Sequence, residues 1–292
     1  MPGVAIILLN WNNGADTLDC LRSLKAIDYA DYRIIVADNG SSDGSAAAIR
    51  EAHPDVTLLE NGKNLGFAAG NNAAIRLALE GAYDYVLLLN NDTVVDPGFL
   101  HALVAAAEAD PAIGIVGPKI YYHGDPKRIW FAGGRVDFWL GETSHVGQNE
   151  PDAGRYDETK DTGFITGCAL LIKRKTLEDV GLLDERMGFY FEDNDLCARA
   201  REHGYRVVYT PKAVVWHKVA GSVGRIKDFQ LFYFTRNRLM FMKRHASPPQ
   251  LAVFLPYYAA RHVALKLAIA LVQLKLGQAK LILRAAYEGA TL

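Results

Sequence analysis

The apolar run 85–89 (Tyr-Val-Leu-Leu-Leu) ends in Asn90-Asn91-Asp92, and this junction constrains the chain more than any other. Five apolar residues bounded by polar ones are the pattern of a strand buried on both faces, as in parallel sheets. Ligands of such sheets sit beyond the carboxyl ends of the strands. Two amides and a carboxylate are therefore delivered to a rim where a metal and a phosphate could be held. A carboxylate after a strand is also an ordinary helix cap, so the weight of Asp92 rests on what converges with it.

The surrounding pattern repeats. Strand-like runs at 4–9, 33–37, 56–59, 85–89 and 113–116 alternate with helical ones at 16–25, 45–52, 68–79 and 97–109. In the first helix Leu18, Leu21 and Leu24 recur at helical spacing. Repeated βαβ organisation predicts an α/β fold with a mostly parallel, doubly wound sheet. From 121 to 165 helical periodicity is lost and glycine and aromatics increase (Trp130-Phe-Ala-Gly-Gly, Phe138-Trp139), which predicts a loop and hairpin region over one end of the sheet. A strand at 164–172, a short helix starting at Leu177, a helix at 193–203 and short strands at 207–209 and 214–216 follow.

A chain of 292 residues with 22% charged and 50% hydrophobic residues is an ordinary folded protein, not a disordered one. Cys20, Cys168 and Cys197 lie far apart with no Cys-x-x-Cys pair, which excludes a disulfide framework or zinc cluster and fits a reducing cytosol. The first residues carry no basic stretch before their strand-length apolar run, so no secretory signal is read there. The net charge of −1 hides an asymmetry: from Arg225 onward eleven Lys/Arg face only Asp228 and Glu288, an excess of +9. That end is also apolar, with Arg261, His262 and Lys266 interrupting what would approach a spanning length. Residues 226–292 therefore read as a basic amphipathic helical tail, broken at Pro248-Pro249, that lies on an anionic membrane surface or packs at an interface with a second subunit. Nucleic acid is excluded as a partner, since the basic residues are interleaved with aliphatic runs and form no polar groove.

Other strand ends share the rim with Asp92. The first gives Asn10-Trp11-Asn12 and the second Asp38-Asn39-Gly40-Ser41-Ser42-Asp43-Gly44-Ser45. Asp38 can accept the imide N–H of uracil or thymine, which cytosine lacks, and Trp11 can lie against the base. Asn64-Leu-Gly66-Phe-Ala-Ala-Gly70-Asn-Asn opens a helix whose small residues let a ligand approach its positive end. Glu192-Asp193-Asn194-Asp195 places three carboxylates in four residues. Their mutual repulsion raises the apparent pKa of the cluster and needs a cation or a task to offset it. Asp195 pairs with Arg199 at i,i+4, leaving Glu192 and Asp193 free for chemistry or capping. His217 ends a strand and, with Asp92, offers an imidazole–carboxylate set suited to Mn²⁺ or Mg²⁺.

Taken in order, Ile-Leu-Leu-Asn-Trp-Asn, Ala-Asp-Asn-Gly-Ser-Ser-Asp-Gly-Ser, Asn-Leu-Gly-Phe-Ala-Ala-Gly-Asn-Asn, Leu-Asn-Asn-Asp-Thr, Thr-Gly-Cys-Ala-Leu-Leu-Ile, Phe-Glu-Asp-Asn-Asp-Leu and Trp-His resemble the inverting family-2 glycosyltransferases of the GT-A fold, within them the bacterial rhamnosyltransferase-like group. The resemblance covers residues 4–225 and implies a GT-A domain over 1–225. It implies transfer of a sugar from a dTDP- or UDP-sugar, dTDP-rhamnose being one candidate, to a hydroxyl of a saccharide or lipid-linked acceptor, at the cytoplasmic face of a membrane. By the same resemblance Asp38 recognises the pyrimidine, with Asn10, Trp11 and Asn12 around base and ribose, and Asn64 and Gly66 form part of the nucleotide wall. Asn90-Asn91-Asp92 stands where the family has a metal-binding DxD, with only its last position acidic, so Asp92 would hold the metal with His217. Asp193 stands at the catalytic base, Glu192 beside it holds the acceptor, and Thr166-Gly167 resembles the sugar and acceptor loop.

Two other readings remain at this point. A nucleotidyltransferase making activated sugars would show a glycine-rich first loop with a basic residue, whereas no Lys or Arg precedes Arg22 here. An inactive nucleotide-sugar-binding protein would not need Glu192-Asp193, although the reduced Asn-Asn-Asp would suit it.

Overall fold

The computed structural model describes residues 1–219 and 227–292. Its first elements are β1 (Val4–Asn10), α1 (Gly14–Leu24), β2 (Tyr32–Asp38), α2 (Ser45–Ala52), β3 (Thr57–Glu60), α3 (Gly66–Glu80) and β4 (Tyr85–Asn90). Then come β5 (Thr93–Val95), α4 (Phe99–Glu108), β6 (Ile113–Tyr122), β7 (Asp125–Phe131), β8 (Gly134–Asp137), β9 (Glu142–His145), β10 (Lys160–Asp161) and β11 (Ala169–Lys173). The remainder is α5 (Arg174–Val180), α6 (Glu192–Glu202), β12 (Arg206–His217), α7 (Lys227–His245), α8 (Pro248–Tyr258), a π-helical turn (Ala259–Ala264), α9 (Leu265–Val272) and α10 (Leu276–Thr291).

The main sheet runs β10-β12-β6-β11-β4-β1-β2-β3, with β5 added to β12 and β7 to β6. Strands β3, β2, β1 and β4 are mutually parallel, as are β6 and β12. Strand β11 runs against both β4 and β6 between the two parallel sets. Val4–Leu8 of β1 and Tyr85–Leu89 of β4 are apolar and buried throughout, which is why these strands read as continuous hydrophobic runs. Helix α3 packs on β1 and β2, and α4 on β6 and β12. This is a mixed α/β architecture with a mostly parallel central sheet, as the alternation implied.

Three expectations need correction. The 164–172 segment is a strand only from Ala169 onward; its first half is loop, because residues 164–168 turn over the rim to meet α6. The strands expected at 207–209 and 214–216 are one strand, β12, whose register with β6 shifts between Thr210 and Val214. A bulge of this kind interrupts the residue-by-residue alternation and reads in sequence as a break. Helix α5 begins at Arg174, ahead of Leu177.

Of the described residues, one unit takes 1–135, 145–188 and 192–219, and a second takes 136–144, 189–191 and 227–292. The domain boundary expected at 225/226 lies outside the described residues. In the second unit α7 packs along α10, and Phe191 and Phe138 lie against Phe241. The chain breaks between α7 and α8 as the prolines imply: Ser247 bonds through its N–H and Oγ to Gln250 Oε1 at 2.8 and 2.9 Å, and Pro248 and Pro249 open the new helix. Among the described residues no helix is long and apolar enough to cross a membrane.

Candidate active site

Strand register assembles the rim. Asn10 stands opposite Asp38, and Leu9 opposite Asn90. On the other side His217, the last residue of β12, stands opposite Thr93, next to Asp92 in sequence. Three corners result.

In the first corner Asn10 is fully buried and its amide is spent inside the protein. Its Nδ2 donates to Asp38 Oδ1 and Ser45 Oγ, both at 2.8 Å, while its Oδ1 accepts from Thr17 Oγ1 at 2.8 Å. Asn10 thus positions Asp38 and does not face an open pocket. The second Asp38 oxygen accepts the Ser41 N–H at 2.9 Å, so the carboxylate is held rigidly with a lone pair to spare on each oxygen. Asn12 adopts a left-handed backbone (φ 49°) and its Oδ1 receives the Ser42 N–H at 2.7 Å, bracing the same loop. Trp11 is half-buried between them. Asn64 accepts the Gly66 N–H at 2.9 Å, and both are tied to the first corner by Asn39, whose Nδ2 donates to Asn64 Oδ1 and the Gly66 carbonyl. Asn39 is a hub that the sequence reading passed over; its signal was a second amide directly after Asp38.

In the second corner Asp92 Oδ1 and His217 Nε2 lie 3.0 Å apart, both side chains buried. The Lys218 N–H fixes the backbone by donating to the Asp92 carbonyl. Trp130 of β7 stands edge-on to His217 at 4.6 Å between ring centroids and edge-on to His145 at the same distance. No periodicity marked Trp130, since it lies where the helical pattern fails. Asn91 turns away from this pair, donating to Thr17 Oγ1 at 2.8 Å and joining the first corner. The Asn90 N–H donates to the Cys168 carbonyl at 2.8 Å.

The donor set suits a divalent cation. One carboxylate oxygen and one imidazole nitrogen, close enough to share an ion, leave positions open for phosphate oxygens and water. His217 Nδ1 is buried without a hydrogen-bond partner, so nothing in the protein fixes the proton on that side. Among the described residues no group of three or more His, Cys, Asp or Glu side chains that could hold a metal ion converges. Burial opposes charge on His217, but the Cys168 sulfur and the Asp92 carboxylate outweigh it and lift its pKa to about 10. Burial also pushes the Cys168 thiol up.

The third corner is the start of α6. Asp193 Oδ2 accepts the Gly167 N–H at 2.8 Å, and Oδ1 accepts the Asn194 N–H at 2.7 Å. Burial raises the Asp193 pKa, and these bonds pull it partly back. Glu192 is raised well above the ordinary carboxylate range, by burial first and then by the Asp193 charge. Its Oε2 is buried and unpartnered. Two adjacent carboxyls are therefore driven apart, Asp193 the readier to ionise and Glu192 the readier to keep its proton. Thr166 is buried beside them. Asp195 pairs with Arg199 at 2.8 Å in the core, and Arg199 also donates to the Leu182 carbonyl at 2.7 Å, clamping α6 in place.

A sequence profile of the family described as "Glycosyltransferase like family 2" matches residues 2–238. The chain belongs to this family. It is a sugar-transferring enzyme. Among relatives of this glycosyltransferase, the N-acetylglucosaminyl-diphospho-decaprenol L-rhamnosyltransferase of Mycobacterium tuberculosis is 30% identical over 244 residues, 75% of this chain and 77% of the relative. The poly-beta-1,6-N-acetyl-D-glucosamine synthase of Staphylococcus aureus is 27% identical over 235 residues, 77% of this chain and 52% of the relative. In fold the glycosyltransferase is similar to the mannosyltransferase PcManGT of Pyrobaculum calidifontis, solved with GDP-Man and Mn²⁺, with a TM-score of 0.61 and 21% identity over 99% of this chain and 84% of that one.

Proposed function

We propose that this glycosyltransferase moves a sugar, rhamnose in the first instance, from a dTDP- or UDP-sugar to a hydroxyl of a saccharide or lipid-linked acceptor, with inversion. The observation that carries the reading lies in one dipeptide. The Gly167 N–H donates to Asp193, while the carbonyl of the next residue, Cys168, accepts the Asn90 N–H at 2.8 Å, two residues before Asp92. The Asp193 carboxylate and the strand end that leads to Asp92 are thus fixed from neighbouring residues, about 3.8 Å apart along the chain. The name of the mycobacterial relative adds rhamnose and a lipid diphosphate acceptor to the proposal.

In this reading Asp38 accepts the imide N–H of the pyrimidine, with Trp11 against the ring and Asn12, Asn64 and Gly66 around the nucleoside. Asp92 and His217 hold Mn²⁺ or Mg²⁺, with Asn90 and Asn91 shaping the approach. A divalent cation bound there neutralises charge on the leaving diphosphate. Asp193 takes the proton of the acceptor hydroxyl while that oxygen forms its bond to the anomeric carbon from the face opposite the diphosphate. Glu192, protonated, donates to an acceptor oxygen, and Thr166 and Gly167 line the acceptor side. The basic C-terminal helices suit an acceptor presented at the cytoplasmic face of a membrane. Asp193→Asn should lower the transfer rate roughly 10²–10⁴-fold while leaving UDP or dTDP affinity unchanged. A thermal-shift series of nucleoside diphosphates with Mn²⁺ identifies the base, since a bound ligand raises stability by mass action. Retained turnover in Asp193→Asn would remove it as the base.

A further inference from the structure

The turn between α9 and α10 exposes seven residues in succession, 271–277, and four of them are large aliphatics: Leu271, Val272, Leu274 and Leu276. Val272 and Leu274 are each 84% exposed, more than any other large apolar side chain among the described residues. Single exposed apolar residues are ordinary, whereas a contiguous set marks a surface that meets something. On α9 the set continues at three- and four-residue spacing through Ile269 and Leu265; on α10 Leu283 lies seven residues beyond Leu276, with Tyr287 four further on.

The backbone sharpens the point. The Lys275 N–H donates to the Ala270 carbonyl at 2.8 Å, and the Leu274 N–H to the Leu271 carbonyl at 3.0 Å. These two bonds close α9 with a left-handed residue in the place usually taken by glycine. Here that residue is Leu274, at φ 56°. Folding alone disfavours leucine there, since its Cβ is strained and its side chain meets water. Beneath the turn Ala270, Ala279 and Ile282 are buried with Leu231, Val263 and Leu267 packed on them, so the two helices are fixed from below. The stretch around the turn is basic in sequence, although Gln278 at the start of α10 donates to Asp228 of α7 at 2.8 Å and Arg284 pairs with Glu288. Between 248 and 287 there is no Asp or Glu, while Arg261, Lys266, Lys275, Lys280 and Arg284 are present.

We infer that the 271–277 turn is a lipid-inserting wedge. Val272, Leu274 and Leu276 enter the boundary between headgroups and acyl chains, while Lys275 and Lys280 meet anionic headgroups. Among the described residues no helix is long and apolar enough to cross a bilayer, so the wedge is drawn as entering from one side. Lys275 and Lys280, repeated on a second copy, oppose covering the turn with that copy. The inference goes beyond the transferase reading and rests on it only for which membrane face is met.

The test is co-sedimentation of the full chain with phosphatidylcholine vesicles, with and without phosphatidylglycerol. Binding should require the anionic lipid and weaken as salt is raised. Val272→Asp/Leu274→Asp should reduce binding roughly tenfold or more, with a melting temperature no lower than that of the unmodified chain, since Asp accepts the left-handed conformation better than Leu, and an unchanged thermal shift on adding UDP and Mn²⁺. Leu274→Gly should melt higher, because the left-handed strain is relieved, and still bind less. No binding to either vesicle, or equal binding by the Asp variant, overturns the wedge. So does a dimer in sedimentation velocity that the same variant dissolves. A lost UDP shift in the unmodified chain would instead count against the transferase reading and leave the wedge standing.

Discussion

At the scale of the residue, the centre of the site is a contest for one nitrogen. The Asp92 carboxylate helps to hold a proton on His217 up to about pH 10, and a divalent cation needs the same lone pair. Between pH 6 and 8, Mn²⁺-dependent nucleotide binding should therefore strengthen by roughly tenfold per pH unit and release about one proton, measurable by titration calorimetry in buffers of different ionisation enthalpy. A pH-independent affinity would remove His217 from the ligand set. The linkage to stability has a defined sign: a histidine raised above its ordinary 6.5 contributes fully below that pH. The contribution is then lost as pH rises through the folded value of about 10. For Asp193, the base in the proposed reaction, the consequence runs the other way. Burial raises its pKa, so activity should fall on acidification at a higher pH than for a surface aspartate.

At the scale of the element, the rim works because helices approach the sheet closely. Gly70 of α3 shows how closely: an added Cβ would stand 2.8 Å from Leu9 Cδ1 and 3.0 Å from Asn39 Nδ2. Alanine is favoured over glycine in a helix by about 1 kcal/mol, yet overpacking a filled core costs about 1–3 kcal/mol. Packing should win. Gly70→Ala is expected to lower the urea midpoint and, by displacing Asn39 from Asn64 and Gly66, to weaken nucleotide binding. A stabilised variant with full affinity would show that Leu9 and Asn39 yield without loss.

For the whole molecule, acid is the condition that both units resist least. His145 in one and His262 in the other are each held near a pKa of about 4, in both cases by burial first. A histidine kept neutral by the fold contributes nothing adverse above pH 6.5. Below it the unfolded chain takes up protons that the folded one refuses, so stability falls as pH drops from about 6.5 towards 4. The slope is at most about 1.4 kcal/mol per pH unit for each histidine. Urea midpoints across that range should decline in both the unmodified chain and His145→Gln, more shallowly in the latter. An unchanged slope would mean that His145 does not contribute.

Much of the architecture was legible because parallel strands must be apolar throughout and their helices amphipathic, so 4–9, 33–37 and 85–89 announced themselves. The acidic cluster and the amide-rich turns were legible too, since such residues are costly unless used. The bulge in β12 and the loop at 164–168 were not, because a register shift and a departure from the sheet leave no periodic trace. Nor could spacing show that Asn10 and Asn91 spend their amides inside the protein, that Trp130 stands against His217, or that consecutive residues Gly167 and Cys168 reach both Asp193 and Asn90. Local pattern records what each segment buries. Which side chains meet across 125 residues, as Asp92 and His217 do, is set by strand order and register, and these emerge when the sheet closes on its core.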